Sequence, residues 1–369
     1  MRRNYEKGIM EQFAIILAGG RGERFWPASR YLRPKQLLRL ISEKTMLEET
    51  ISRVEGFIPP ENVLIVTGAH LKSLILKEIG PLGGENFFVE PVGRNTAPAI
   101  GFAAAKIVAR HGDGVMFVLS SDHLIRPVET FLEAMKAAKE IVENNDILML
   151  LGVEPSRPET GYGYIEIGGE MKQMNGFVAF HVHSFKEKPN HLKAQEYYLD
   201  SKHLWNSGIF VWRAKTILDE ISAHLPELYT VLEDYIDVVG KPEEDEFIES
   251  VFNDISSVSI DYGVLEKTVN VGVLRAKFAW DDVGDYAALE RIIPKSHDGN
   301  VITGDDVLLM DSYETTVMNN DDGAVVALGV SDLVIVREGD VVLVLHKTRI
   351  SQIRELLDNI KEEGLERYL

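Results

Sequence analysis

Phe13-Ala14-Ile15-Ile16-Leu17-Ala18-Gly19-Gly20-Arg21-Gly22 is an apolar run that ends abruptly at glycines. Such a run, without polar alternation, has the pattern of a strand buried on both faces. The glycines give the chain a tight exit from it. The following segments keep the theme. Residues 45–54 carry Met46, Leu47, Ile51 and Val54 at helical spacing, and residues 63–67 form a second apolar strand. Residues 71–79 read as a helix closed by Gly80-Pro81, 87–89 as a brief strand, and 96–110 as an alanine-rich helix. Strand 115–119, helix 131–143 and strand 147–153 complete the series. This order predicts an α/β fold with an open, mostly parallel sheet covered by helices. Ligands of such sheets lie beyond the carboxyl ends of the strands, so chemistry is expected after Ala18, Val89 and Leu119.

Beyond Gly161 the pattern changes. Residues 164–167, 177–185 and 209–212 look extended, 215–222 look helical, and the acidic run 242–246 reads as a solvated helix start. Residues 300–346 are short Val/Leu-rich strands split by turns, with Glu338-Gly339-Asp340 reading as a hairpin. Residues 350–368 form a closing amphipathic helix. The expected division is a polar leader over 1–12, a main unit over 13–294 and a small strand-rich unit over 295–369.

Composition narrows the function classes. The 369 residues hold 39 Lys+Arg and 58 Asp+Glu, a net charge of −19. That balance disfavours a partner of nucleic acid or anionic membrane, whose binding surfaces are basic. With no cysteine, thiolate zinc sites, iron–sulfur clusters, disulfides and cysteine nucleophiles are all excluded. No apolar run approaches the roughly 20 residues of a membrane span, and the expectation is a soluble cytoplasmic protein.

The loop Gly19-Gly20-Arg21-Gly22-Glu23-Arg24 fails the dinucleotide fingerprint, because Phe25 stands where the third glycine belongs. It also fails the G-x-x-x-x-G-K-[ST] phosphate loop. What remains is a glycine loop with Arg21, Arg24 and, shortly after, Lys35. Backbone N–H groups and three cations suit a polyphosphate.

The stretch from Leu17 to Arg30, with Trp26-Pro27-x-Ser29-Arg30 and then Arg33-Pro34-Lys35-Gln36, resembles the signature of sugar-1-phosphate nucleotidylyltransferases, in particular the mannose-1-phosphate guanylyltransferase branch. Further motifs agree in order and spacing. They are Glu90-Pro91-x-x-Arg94-Asn95-Thr96-Ala97-Pro98-Ala99, Ser121-Asp122-His123, Gly161-Tyr162-Gly163-Tyr164, Phe185-x-Glu187-Lys188-Pro189, Trp205-Asn206-Ser207-Gly208 and Trp280-x-Asp282-x-Gly284. The resemblance covers about residues 13 to 290 and, more weakly, the C-terminal part. It implies a Rossmann-like nucleotidyltransferase fold with a mixed, mostly parallel sheet, plus a small C-terminal left-handed β-helix-like domain.

The implied reaction takes GTP and mannose 1-phosphate to GDP-mannose and pyrophosphate. The sugar phosphate is already anionic, so catalysis needs in-line positioning and charge neutralisation, with no covalent intermediate. By resemblance Arg21, Arg24 and Lys35 are catalytic. Leu17, Ala18, Gly19, Gly20, Gly22, Arg94, Asn95, Thr96, Ala97 and Asp122 bind the nucleotide, with Thr96 also placed as a helix cap. Gly163, Glu187, Lys188 and Asn206 bind the sugar phosphate, Lys188 at its phosphate. Asp122 and Asp282 hold Mg2+, while Asp281 and Asp285 read as solvated turn carboxylates. Trp205, Trp212 and Trp280 read as core or pocket wall, and His181-x-His183 as exposed strand residues.

The alternatives are another nucleotide or sugar 1-phosphate, and a non-catalytic nucleotide-sugar-binding subunit. The second is disfavoured because Arg24, Lys35 and both aspartates are present. A bifunctional isomerase would need an additional C-terminal domain. The strand-rich end reads either as a homodimer surface or as a cover for the sheet.

Overall fold

The computed structural model describes residues 10–79 and 83–369. Most of the expected leader, and the Gly80-Pro81 helix stop, lie outside the described residues. The chain alternates through β1 (Gln12–Leu17), α1 (Met46–Val54), β2 (Val63–Gly68), α2 (Ala69–Ile79), β3 (Phe87–Glu90), α3 (Thr96–His111), β4 (Val115–Ser120), β5 (Leu124–Arg126), α4 (Val128–Val142) and β6 (Leu148–Val153). There follow β7 (Tyr164–Met174), β8 (Phe177–Lys186), α5 (His191–Leu199), β9 (His203–Arg213), α6 (Ala214–His224), α7 (Pro226–Val238), α8 (Glu244–Val251), β10 (Val271–Arg275), β11 (Ala279–Asp281) and α9 (Tyr286–Ile292). The last part holds β12 (Val301–Thr303), β13 (Val307–Met310), β14 (Thr316–Asn319), β15 (Val325–Leu328), β16 (Leu333–Glu338), β17 (Val341–His346) and α10 (Ile353–Glu362).

The main sheet has nine strands in the order β3-β2-β1-β4-β9-β6-β10-β8-β7, and β7 also pairs β9. β1 pairs β2 and β4 in parallel, as do β2 with β3 and β6 with β10. β8 and β9 run against their neighbours. The sheet is therefore mixed and mostly parallel. β1 shows why its sequence does not alternate. Phe13 and Ile15 face the helices α3, α6 and α7. Ala14 and Ile16 face α1, α2 and α4. Both faces are dry, so every position is apolar. α3 packs closely on α7: a Cβ on Gly101 would stand 2.7 Å from Leu232 Cδ1. α1 begins at a capping box in which Thr45 and Glu48 satisfy each other's backbone N–H.

In the C-terminal part β12, β14 and β16 stack in parallel, as do β13 and β15, giving a β-helix-like arrangement of small sheets. β16 and β17 form the expected hairpin. The closing helix is shorter than its amphipathic pattern suggests, because Gly364, at φ 70°, lies just beyond its end. The core of this part is shared. Val301, Met318, Val334 and Leu357 pack with Phe25, Trp26, Leu38 and Tyr286. Trp26 Nε1 donates 2.8 Å to the Tyr368 carbonyl. Among the described residues no helix is long and apolar enough to cross a membrane.

Candidate active site

The loop after β1 is pinned at its root. Ala18 N donates to the Val66 carbonyl, while the Ala18 carbonyl accepts from Thr67 Oγ1 and Gln36 Nε2. Gly22 has φ 68°, and a Cβ there would lie 2.3 Å from Lys35 Cβ. Only glycine meets both conditions. Gly20 differs: a Cβ there would meet nothing within 4 Å.

A cavity of about 350 Å³ opens beside this loop, at the carboxyl ends of β1, β3 and β4. Leu17, Ala18, Gly19, Gly20, Gly22, Lys35, Asn95, Thr96 and Asp122 all line it. Other expected nucleotide residues do not. Ala97 is buried in the first turn of α3, its N–H on the Val258 carbonyl. The Arg94 guanidinium donates to the Phe252 carbonyl at 2.8 Å and to that of Asn253. Arg21 and Arg24 lie outside the cavity lining, and Arg21 borders a separate pocket with Arg30, Arg354 and Lys361. The cap of α3 is Asn95, whose side chain accepts from Thr96 N. Thr96 Oγ1 instead receives Ile260 N at 2.8 Å.

The sequence motifs assign Glu90 no role. It ends β3, is 7% exposed and lines the cavity. Its Oε1 is buried without a hydrogen-bond partner. Burial pushes its carboxyl up to about 7. A buried, unpaired carboxyl facing a cavity is costly for the fold and points to a ligand.

At the cavity's end Lys35 brings Asp122 and Asp282 together. Its Nζ donates 2.6 Å to Asp122 Oδ2 and 2.8 Å to the Asp282 carbonyl. Burial alone would raise the Asp122 carboxyl, but the Lys35 ammonium and His123 outweigh it and hold it below its ordinary value. Burial lowers His123, whose Nδ1 accepts from Trp280 Nε1 at 3.2 Å. The Asp282 carboxylate accepts from the Tyr162 hydroxyl at 2.6 Å, and Arg157 donates to that hydroxyl. Trp205 and Trp212 are buried, and Trp280 packs edge-on against Tyr162 and His123. Val283, next to Asp282, is fully buried at φ 45°, a strained backbone for a β-branched residue.

Its neighbours correct the sequence reading. Asp281 is 7% exposed and grips Arg291 with both oxygens, at 2.7 and 2.9 Å. Asp285 caps α9 through Ala287 N. Neither is a solvated turn carboxylate, because the β11–α9 turn is folded into the core that the C-terminal strands complete.

The four expected sugar-phosphate residues form a second cluster. A Cβ on Gly163 would lie 2.4 Å from Glu187 Oε2 and 3.3 Å from Asn206 Cβ. Lys188 Nζ donates 2.7 Å to Glu187 Oε1. Asn206 N donates to the Gly163 carbonyl. Asn95, Lys188 and Val283 have positive φ, as do five further non-glycine residues away from these clusters among the described residues. His181 is exposed on β8, as expected, and so is His183.

The donor set suits a hard divalent cation. Lys35 holds the Asp122 carboxylate and the main chain of Asp282, whose own carboxylate sits on Tyr162, and Mg2+-type sites take a few carboxylates plus substrate phosphates. Among the described residues no three metal-ligating side chains cluster, so the substrate would complete the coordination.

Comparison with known proteins gives the family. A profile of the nucleotidyl transferase family matches residues 13–299. A Klebsiella pneumoniae mannose-1-phosphate guanylyltransferase is 36% identical over 96% of this chain and 75% of its own length. One from Escherichia coli K12 is 35% identical over 95% of this chain and 74% of its own. A crystal structure from Thermus thermophilus, described as a mannose-1-phosphate geranyltransferase, superposes with a TM-score of 0.85 at 34% identity, covering 95% of this chain and all of that one. With the site placed at the strand ends and these relatives spanning nearly its whole length, the chain belongs to the nucleotidyl transferase family, alongside the mannose-1-phosphate guanylyltransferases.

Proposed function

We propose that this chain transfers GMP from GTP to mannose 1-phosphate. A phosphate oxygen of the sugar phosphate attacks the α-phosphorus in line, the Pα–O–Pβ bond breaks, and pyrophosphate leaves. No base is needed, because the nucleophile is already ionised. The glycine loop takes the triphosphate on its backbone N–H groups, with Arg21 and Arg24 reaching it from outside the cavity. Lys35 neutralises charge at the reacting phosphates. Asp122 and Asp282 would hold a divalent cation such as Mg2+, which when bound would supply charge stabilisation at the reacting phosphates. Residues 13–294 form the catalytic unit, and 295–369 brace its loop.

One observation carries the guanine reading: Glu90, buried and unpartnered in the nucleotide cavity. Guanine presents two adjacent donors, N1–H and the 2-amino group, which a carboxylate accepts together. Adenine offers N1 as an acceptor there. Uracil and thymine flank their single N–H with carbonyls, which a carboxylate repels.

The test is GDP-mannose formation from GTP and mannose 1-phosphate, titrated with Mg2+ in the parent, Asp122→Asn and Asp282→Asn. Both variants should need roughly tenfold more metal or more. An unchanged metal titration in either would remove that aspartate from the site.

A further inference from the structure

Asp261 lies outside every motif that pointed to the site, yet it joins the sugar cluster. It opens a single π-helical turn, Asp261–Leu265, between α8 and β10. Such turns recur at functional sites because they re-aim side chains. Its Oδ1 accepts from Asn206 Nδ2 at 2.9 Å, while Asn206 Oδ1 accepts from Gly208 N. Burial, then the neighbouring Glu187 carboxylate, pushes the Asp261 carboxyl up to about 6. The nearby Lys188 ammonium is hydrogen-bonded to Glu187. The residue before Asp261, Ile260, is tied to Thr96 in the wall of the nucleotide cavity. Two acids, one amide and one ammonium are therefore linked beside Gly163, and the chain next to Asp261 is bonded to the wall of the nucleotide cavity.

Given the nucleotidyl-transfer reading above, on which this rests, we propose that Asp261 is a sugar-contacting residue. Its carboxylate accepts a hydroxyl of the sugar beside Glu187 while it orients the Asn206 amide. The chemistry fits a polyol that carries one phosphate. Hydroxyl donors satisfy paired carboxylates, and the phosphate goes to the cation. A structural role alone would call only for an acceptor to Asn206, and a neutral amide would supply it without the cost of a buried charge. Retaining an acid whose ionisation burial opposes marks a site kept for function at the expense of stability.

Asp261→Asn separates the two roles, since its amide oxygen still accepts from Asn206 but its charge is gone. The probes are GDP-mannose and GDP, titrated by calorimetry into the Mg2+-loaded protein. GDP-mannose should weaken about tenfold or more, with GDP within about twofold, as for loss of one charge-assisted hydrogen bond. In turnover, the KM for mannose 1-phosphate should rise, with the KM for GTP unmoved. GDP-mannose affinity within about twofold of the parent, or an equal loss for both ligands, overturns the proposal. Should Asp261→Asn fail to fold, Asp261→Glu keeps the charge, displaces it by one methylene, and is judged by the same two affinities. If the parent itself does not distinguish GDP-mannose from GDP, the sugar reading fails and the proposal for Asp261 falls with it; a distinction present in the parent and unmoved in Asp261→Asn overturns the assignment of Asp261 alone.

Discussion

The ammonium of Lys35 donates to the Asp122 carboxylate and the Asp282 carbonyl, and its side chain is almost wholly buried. Removing it takes the ammonium from the Asp122 carboxylate and, in the proposed mechanism, from the reacting phosphates. Lys35→Met is expected to cut turnover by about 100-fold or more while circular dichroism shows the fold intact. A variant within about threefold of the parent would take Lys35 out of the mechanism. Glu90 supplies a pH test. Its folded value of about 7 stands above the ordinary 4.5. Between those values the unfolded chain loses a proton that the folded chain keeps. Stability is thus full below 4.5 and falls as pH rises through 7, by on the order of 3 kcal/mol. Glu90→Gln removes this loss, so its melting-temperature gain over the parent should be larger at pH 8 than at pH 5. An equal offset at both would contradict the buried, protonated carboxyl. The same variant should lose part of its preference for GTP.

The glycine loop makes a paired prediction for one element. Gly22→Ala must adopt a left-handed backbone and displace Lys35, so stability and turnover should both fall. Gly20→Ala meets no protein atom within 4 Å, so its melting temperature should hold while the KM for GTP rises. Loss of stability in Gly20→Ala would mean that its space belongs to the fold and not to the nucleotide. The first half of the molecule is legible element by element, because strands dry on both faces and amphipathic helices write their period into the sequence. β9 is less so. The pattern marks only 209–212 as extended, but the strand begins at His203, and Gly208, at φ 67°, interrupts the pattern beside a register shift against β6. α5 and α7 are hidden among mixed polar and apolar residues. The glycine loop, Lys35, Asp122 and Asp282 stand out as motifs, and the structure brings them together. Arg94 and Ala97 belong to the same motif, yet they tie α3 to the segment 252–258. Asp261 carries no local signal, because its partners Asn206 and Glu187 are distant in sequence and only folding joins them.

Across the whole molecule, one hydrophobic core joins the C-terminal strands to the loop that follows the glycines. Arg30 and Arg33 reach across to Glu338, and Trp26 to Tyr368. The strand-rich end thus braces the segment that follows the glycines from outside the main sheet. Trp26→Phe keeps an aromatic ring and deletes one hydrogen bond. It should lose about 1 kcal/mol in urea unfolding, and the KM for GTP should rise more than that for mannose 1-phosphate. Stability lost with kinetics unchanged would confine that contact to folding. In the proposed function, the cavity between the glycine loop and Glu90 selects guanine, and Asp122 and Asp282 beside it direct nucleotidyl transfer. Pyrophosphate release with mannose 1-phosphate and Mg2+, offering GTP, ATP, UTP and dTTP in parallel, examines both halves of that statement at once. Release should be strongly GTP-selective. Equal release with all four, preference for another nucleotide, or no release with any of them would refute it.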